Sequence, residues 1–123
     1  WDRIDTSGMK RKLHTKEALD AIDFEVADTY KIRYKPEKNK TVSLVQCPQF
    51  TTNLLEYDRP ISKDFEELDS FVIYMGIEGR SILKWPGGEE EINTGEAVVL
   101  PNIINQIELK PTGTAKLLEI YLT

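Results

Sequence analysis

The hydrophobic pattern of the chain changes its period at about residue 41. Before that point, a helical pattern begins at Thr15 and runs to Ile22, with apolar residues at positions i, i+1 and i+4. It predicts one short helix that Thr15 caps and that buries a narrow face of Ala18, Leu19 and Ile22. Residues 1–8 predict the end of a strand that enters an Asp/Thr/Ser/Gly turn.

Beyond residue 41, apolar and polar residues alternate with a period of two, in short runs separated by Gly, Pro and Asp. Pro86, Gly87 and Gly88 predict a two-residue hairpin turn in which the glycines adopt positive φ. Short, evenly spaced strands without intervening helices predict an all-β fold, a jelly-roll barrel or sandwich with one short N-terminal helix. About eight strands are predicted, near Ser43–Cys47, Phe50–Tyr57, Ser70–Glu78, Ser81–Trp85, Glu89–Ile92, Ala97–Leu100, Asn105–Leu109 and Ala115–Leu122.

Composition and charge exclude several classes of function. Twenty-one acidic residues against 16 basic residues give a net charge of -5, which disfavours binding to nucleic acid and to anionic membranes. No apolar run approaches the roughly 20 residues of a membrane span, and the first residues do not resemble a signal peptide, so we expect a cytoplasmic protein. Cys47 is the only cysteine and His14 the only histidine, which excludes an internal disulfide and any metal site with two imidazoles.

Three groups of residues have both a chemical and a structural interpretation. Lys10, Arg11 and Lys12 could contact a phosphate, although a solvated turn is the simpler interpretation. The Glu89–Glu91 run could hold a hard cation, but a charged hairpin that prevents edge pairing explains it better. Four aromatic residues could stack on a sugar, but their alternation along strands favours core packing: Phe65, Phe71, Tyr74 and Trp85.

Gly95 and Pro101 have the spacing of the second motif of the cupin superfamily, a glycine and a proline separated by five residues. In a metal-binding cupin, the first motif supplies two histidines and a carboxylate, and a further histidine follows the proline. Neither the segment Glu66–Tyr74 nor the position near Gln106 supplies a histidine. The resemblance to cupins therefore implies a metal-free barrel without a cofactor of its own.

Longer segments resemble the C-terminal part of bacterial type I mannose-6-phosphate isomerases. They are Val45–Glu56, Leu68–Tyr74 and Lys116–Tyr121, together with Arg11–His14 ahead of the helix. This resemblance implies a parent enzyme of carbohydrate metabolism that interconverts mannose 6-phosphate and fructose 6-phosphate with zinc. Its Gln, Glu and two His zinc ligands would lie in an upstream catalytic cupin, and its substrate would be a hexose 6-phosphate.

The resemblance also implies a domain organisation. Residues 1–14 would be a remnant of the catalytic cupin, residues 15–41 a helix and linker, and residues 42–123 a C-terminal, metal-free cupin-like domain. We expect this fragment to support the catalytic domain structurally and to be inactive alone. An open sheet edge left by truncation could also pair two copies as a homodimer.

One catalytic candidate and one alternative function follow. The resemblance places Arg3 beside the active site, where its guanidinium could stabilise enediolate charge or orient a phosphate. An exposed arginine near the chain end, without a catalytic role, explains the sequence equally well. His14 is expected at the surface near the helix start. The alternative function is a free-standing cupin-like module that binds a carbohydrate or a protein without catalysis.

Overall fold

A computed structural model of the protein describes residues 4–10, 12–26 and 29–122. The chain divides into two compact units, residues 1–30 and 31–123. Within the described ranges, no helix is long and apolar enough to cross a membrane. The elements are α1 (Thr15–Ala21), β1 (Lys40–Gln46), β2 (Thr51–Tyr57), β3 (Ile61–Asp64), β4 (Val72–Glu78), β5 (Arg80–Trp85), β6 (Gly88–Asn93), β7 (Ala97–Leu100), β8 (Gln106–Pro111) and β9 (Ala115–Tyr121).

The first unit contains the turn that the sequence predicts near its start. Ile4 and Lys10 form an isolated antiparallel bridge around it. Inside the turn, the Asp5 Oδ1 atom accepts hydrogen bonds from the backbone amides of Ser7 at 2.9 Å and Met9 at 3.0 Å. A short acidic side chain that binds the backbone amides following it is a common way to close such a turn.

Helix α1 differs from its prediction in its cap and in its burial. The N-cap position is His14 rather than Thr15, and it makes no side-chain capping hydrogen bond. No residue of the helix is buried, and Leu19 and Ile22 are 53% and 50% exposed. The predicted buried face is therefore wrong, because a helix of about two turns carries too few apolar residues to form a stripe.

The second unit contains two antiparallel sheets, which confirms the all-β, cupin-like prediction. One sheet has the strand order β1-β2-β9-β4-β7 and the other has β3-β8-β5-β6. Residues two apart on a strand share a face, so alternate residues of both sheets point between them. Leu55, Tyr57, Tyr74, Leu83 and Leu109 are fully buried there and form the centre of the core.

Strand β3 is missing from the predicted set. Its residues Ile61–Asp64 pair with β8, with Lys63 opposite Ile107. The strand escaped prediction because it has four residues, of which only Ile61 is strongly apolar, and because it follows Pro60 directly. Its inward-facing residues are Ile61 and Lys63, and the lysine becomes important below.

The β5–β6 hairpin has the predicted two-residue turn, since Trp85 pairs with Gly88. The predicted positive φ angles are wrong, because neither Gly87 nor Gly88 lies in the left-handed region. Pro86 explains this, since its ring fixes φ near −65° at the first turn position, where the mirror-image hairpin turns need a positive angle. The glycines instead leave room for the Trp85 indole. A Cβ added at Gly87 would lie 3.0 Å from the indole Nε1, and a Cβ added at Gly88 would lie 3.1 Å from the indole Cζ2.

The cupin-like spacing of Gly95 and Pro101 corresponds to two ends of one strand. Gly95 has φ +86° in the turn between β6 and β7, a conformation that glycine adopts without steric cost. Pro101 directly follows Leu100, the last residue of β7. The turn and the strand end that the sequence predicts are both present.

The aromatic and acidic groups follow their structural interpretations with one exception. Tyr74 is fully buried, and Phe65 and Trp85 pack against the core. Phe71 is 40% exposed, so the core prediction is wrong for this residue, because its neighbour Val72 occupies the inward position. The acidic run lies on β6 at a sheet edge, where Glu89 Oε2 is 2.6 Å from Lys84 Nζ and Glu91 Oε2 is 3.6 Å from Arg80 Nη1.

We predict that Gly76→Ala strongly destabilises the barrel. A Cβ at this position would lie 2.1 Å from the backbone oxygen of Asn93, so the strands must separate, at a cost of about 2 kcal/mol or more. Gly113→Ala is the control, because it meets no atom within 4 Å and carries only the strain of φ +82°, about 1 kcal/mol. Urea unfolding measures both, and equal losses would contradict the steric argument.

Candidate functional site

A row of three polar side chains crosses the interior face of the five-stranded sheet. Asn53 on β2, Glu119 on β9 and Tyr74 on β4 are direct cross-strand neighbours. Their placement follows from alternation, since Ala115, Leu117 and Glu119 share the inward face of β9. Glu119 is only 1% exposed, so a carboxylate lies inside the barrel.

Hydrogen bonds within the row satisfy both carboxylate oxygens. Asn53 Nδ2 donates to Glu119 Oε1 at 3.0 Å, and the Tyr74 hydroxyl donates to Oε2 at 2.7 Å. Unmet hydrogen-bonding capacity on a buried polar group costs about 1–3 kcal/mol, and more for a charged one. Every buried side-chain nitrogen and oxygen of the described residues has a hydrogen-bond partner.

The neutralising charge comes from the opposite sheet. Lys63 on β3 points inward, and its Nζ atom lies 3.1 Å from Oε1 and 2.9 Å from Oε2 of Glu119. The same ammonium donates to Thr41 Oγ1 at 2.8 Å. The Lys63 side chain is 12% exposed and that of Glu119 is 2% exposed. The pair is therefore largely desolvated and links the two sheets across the barrel.

Burial also perturbs the acid–base behaviour of two interior tyrosines. Burial, and then the negative charge of Glu119, raises the pKa of Tyr74 well above its ordinary value. Burial also raises the pKa of Tyr57 to about 12, although the hydrogen bond from its hydroxyl to Ser81 Oγ at 2.6 Å opposes the shift. Both hydroxyls therefore stay protonated and act as hydrogen-bond donors at neutral pH.

A cavity of about 370 Å³ opens beside this cluster. Its lining includes Thr41, Asn53, Lys63, Phe65 and Glu119. We name the Asn53, Lys63, Tyr74 and Glu119 side chains, with Thr41, the barrel cluster. Asn53, Tyr74 and Glu119 are buried, and every member of the cluster except Tyr74 lines the cavity.

The barrel cluster suits a structural role better than metal binding. Glu119 already receives donors on both oxygens, and Lys63 places a positive charge where a cation would otherwise approach the carboxylate. No group of three or more His, Cys, Asp and Glu residues in the described part of the chain is placed to hold a metal ion. The residues present therefore do not fit a transition-metal centre.

The candidate residues from the sequence lie elsewhere or outside the described ranges. Arg3 and Arg11 are outside those ranges. Lys12 and His14 are exposed in the first unit, where His14 Nδ1 lies 3.6 Å from the Glu17 carboxylate. The exposed Gln106 donates from Nε2 to Asp64 Oδ2 at 3.3 Å.

Sequence reasoning missed the barrel cluster, although part of it has a visible pattern. Glu119 follows the inward apolar residues Ala115 and Leu117 of β9, and Asn53 shares the inward face of β2 with Leu55 and Tyr57. A polar residue at such a position predicts a buried, hydrogen-bonded group. Lys63 could not be found in this way, because its strand was not recognised.

We predict that Lys63→Met lowers the free energy of unfolding by roughly 3–5 kcal/mol, because it leaves the Glu119 carboxylate buried without its counter-charge. Lys84→Met is the matched control. The Lys84 ammonium lies 2.6 Å from Glu89, but both side chains are at least 40% exposed, so its loss costs about 1 kcal/mol or less. Urea unfolding at neutral pH measures both.

The double variant Lys63→Met/Glu119→Gln separates a pair interaction from general damage to the core. The amide retains an acceptor for Tyr74 and removes the uncompensated charge, so most of the lost stability should return. A double variant as unstable as the sum of its single variants would show that the two charges are not coupled.

We predict an alkaline loss of stability that Tyr57 carries in part. From pH 10 to about 12 the unfolded chain releases the Tyr57 proton while the folded chain retains it, so the free energy of unfolding decreases as pH rises. A shift of about two pKa units corresponds to roughly 2.7 kcal/mol. Tyr57→Phe should flatten this decrease in urea titrations from pH 8 to 12, and an unchanged slope would contradict the assignment.

Comparisons with known proteins agree with the fold described above. No protein-family model matches the sequence. A Bacillus subtilis (strain 168) protein named "Putative mannose-6-phosphate isomerase YvyI" is 27% identical over 117 residues, which cover 93% of this chain and 36% of the relative. The chain thus spans little more than a third of the length of that protein.

Solved structures give two further similarities. The mannose 6-phosphate isomerase from Bacillus subtilis superposes with a TM-score of 0.66 at 26% identity, over 98% of this chain and 38% of that chain. A cupin-2 domain containing protein from Shewanella frigidimarina superposes with a TM-score of 0.60 at 9% identity, over 90% of this chain and 94% of that chain. The chain therefore has the cupin fold and is similar, over nearly its whole length, to part of the mannose-6-phosphate isomerases.

Proposed function

We propose that this chain is the non-catalytic cupin portion of a mannose-6-phosphate isomerase and that it supports the catalytic portion structurally. In this proposal, the interconversion of mannose 6-phosphate and fructose 6-phosphate belongs to the longer, cytoplasmic polypeptide. The 123-residue chain is inactive alone.

The observation that carries the proposal is the extent of the similarity. It covers 93% of this chain but only 36% of the relative, and the solved isomerase gives nearly the same proportions, 98% and 38%. A match that nearly fills one chain and a minor part of the other favours a portion of a larger enzyme over a complete one.

The barrel cluster supports the non-catalytic role. Its carboxylate is saturated by Asn53, Tyr74 and Lys63, so it has no free acceptor site for a proton or a metal. The only histidine is exposed and lies near a carboxylate of its own helix. Zinc, which the resemblance assigns to the parent enzyme, therefore finds no fitting ligand set among the described residues, and Arg3 stays the one catalytic residue proposed on this chain.

A specific observation favours a second candidate, a free-standing binding module without catalysis. The Shewanella frigidimarina protein is covered over 94% of its length, so a cupin chain of similar extent exists as a separate protein. An open cavity of about 480 Å³ is lined by groups of the kinds that bind sugars: Ser62, Asp64, Lys84, Trp85, Gln106 and Glu108.

A coupled isomerase assay with mannose 6-phosphate and added zinc tests both candidates. We predict no turnover for the 123-residue chain and turnover for a polypeptide extended upstream to its natural start. Activity in neither protein, combined with sugar binding by the short chain in calorimetry, would favour the binding module. Turnover by the short chain would refute the argument from missing ligands.

A further inference from the structure

The two sheets of the barrel have different outer faces. On the four-stranded sheet, the outward residues Lys84, Glu89 and Glu108 lie side by side across three strands. Ion pairs occupy this face, with Lys84 Nζ 2.6 Å from Glu89 and Lys110 Nζ 2.8 Å from Glu108. An outer face of this kind is typical of an antiparallel sheet in contact with water.

The five-stranded sheet has an apolar outer face instead. One row of directly opposed outward residues crosses all five strands without a polar side chain: Val42, Leu54, Leu118, Met75 and Ala97. Met75 is 38% exposed, whereas Leu54 in the same row is only 7% exposed, so other residues of this chain already cover part of the row. A continuous apolar row of this length is unusual on a face that contacts water.

A second row repeats the pattern two residues further along four strands and three residues further along β1, where a bulge lies between Ser43 and Val45. It contains one polar residue, Thr52, among four apolar ones: Val45, Thr52, Ile120, Ile73 and Val99. Val99 is 61% exposed. The contrast with the charged sheet shows that the apolar residues are not a general property of the surface.

Three large apolar residues extend the pattern past the strand ends. Phe50, Phe71 and Leu122 each lie two residues beyond a member of the second row, and they are 40%, 40% and 50% exposed. We name these three rows together the apolar face. Large contiguous apolar patches mark interaction sites on soluble proteins.

We propose that the apolar face is the docking surface for another domain of the same polypeptide, an inference that rests on the proposed function. The apolar face would then be the surface through which this chain supports the catalytic portion. The partner would be an apolar surface of the catalytic portion.

The size of the apolar face favours a tethered domain over a second copy. Two rows of five residues and a third row of three, with about 4.8 Å between strands and about 7 Å between rows, give roughly 440 Å². A standard interface between separate proteins buries about 800 Å² on each partner, whereas domains of one chain share interfaces of about 600–1,500 Å² in total. A covalent connection compensates for the smaller area, because it raises the effective concentration of the partner.

The segment just before strand β1 also lies next to the apolar face. A charged row of Lys40, Glu56, Lys116 and Glu78 borders its opposite end. Lys38 forms a parallel bridge with Glu56. The pKa of Lys116 is raised chiefly by its hydrogen bond and charge interaction with Glu78, then by the charge of Glu56. Lys38 and Lys40 therefore lie beside the apolar face, so the segment that precedes the barrel joins it at this face.

Val99→Lys tests the proposal, measured by thermal unfolding of both the 123-residue chain and the polypeptide extended upstream. In the short chain the lysine points into water, so the midpoint should move by no more than about 2 °C. In the long polypeptide it would be buried in the interface, and the midpoint should decrease by about 5 °C or more. Ile82→Lys on the outer face of β5 is the control, with the same shift expected at both lengths.

Each other outcome overturns the proposal or a defined part of it. Equal shifts for Val99→Lys at both lengths would refute docking on this face. A short chain that is dimeric by light scattering, and that Val99→Lys converts to a monomer, would make the occupant a second copy and refute the tethered domain. Failure of the long wild-type polypeptide to isomerise mannose 6-phosphate would contradict the proposed function, while the unfolding comparison would still decide whether the face is covered.

Discussion

The buried ion pair between Lys63 and Glu119 is the constraint on which the rest of the barrel depends. It joins one strand of each sheet through atoms 2.9 Å apart, in a region from which water is largely excluded. A buried pair adds little net stability compared with apolar residues of similar size, but the loss of either partner is costly. A slip of one residue in the register of β9 would move the Glu119 carboxylate to the outer face, so the pair strongly favours a single strand alignment.

The same pair explains how a cupin barrel can keep a polar interior without metal ligands. A metal-binding cupin surrounds an exchangeable cation with histidines and a carboxylate. Here the cation is the Lys63 ammonium, which is covalently attached and held by Glu119 and Thr41. Such a centre is electrically neutral whenever both groups are charged, and its formation does not depend on the supply of a metal. This arrangement agrees with the structural role proposed above.

The architecture could be predicted from the sequence to a greater extent than the site. Period-two alternation, together with the Gly, Pro and Asp residues between the runs, locates eight of the nine strands, including β6, which has only Ile92 as a buried apolar residue. Strand β3 lacks this pattern, since its inward positions are Ile61 and Lys63. The partner of Lys63 could not be predicted either, because it lies on the other sheet, far away in the sequence. The helix prediction fails in its burial for a related reason, because periodicity identifies an apolar stripe but not whether anything covers it.

The apolar face shows how a local pattern can also indicate what a domain lacks. Adjacent apolar pairs occur on three neighbouring strands. Leu54 and Leu55 on β2 lie opposite Leu118 and Leu117 on β9, and Val72 and Ile73 on β4 lie opposite Tyr121 and Ile120 further along β9. One member of each pair points into the core and the other points outward, as on strands that are buried on both sides. The outer face of the second sheet is charged, so within this molecule only one of the two sheets has the pattern. One barrel thus combines an interior closed by its own ion pair with an outer sheet whose composition is that of a buried surface, which is the combination expected of a supporting domain.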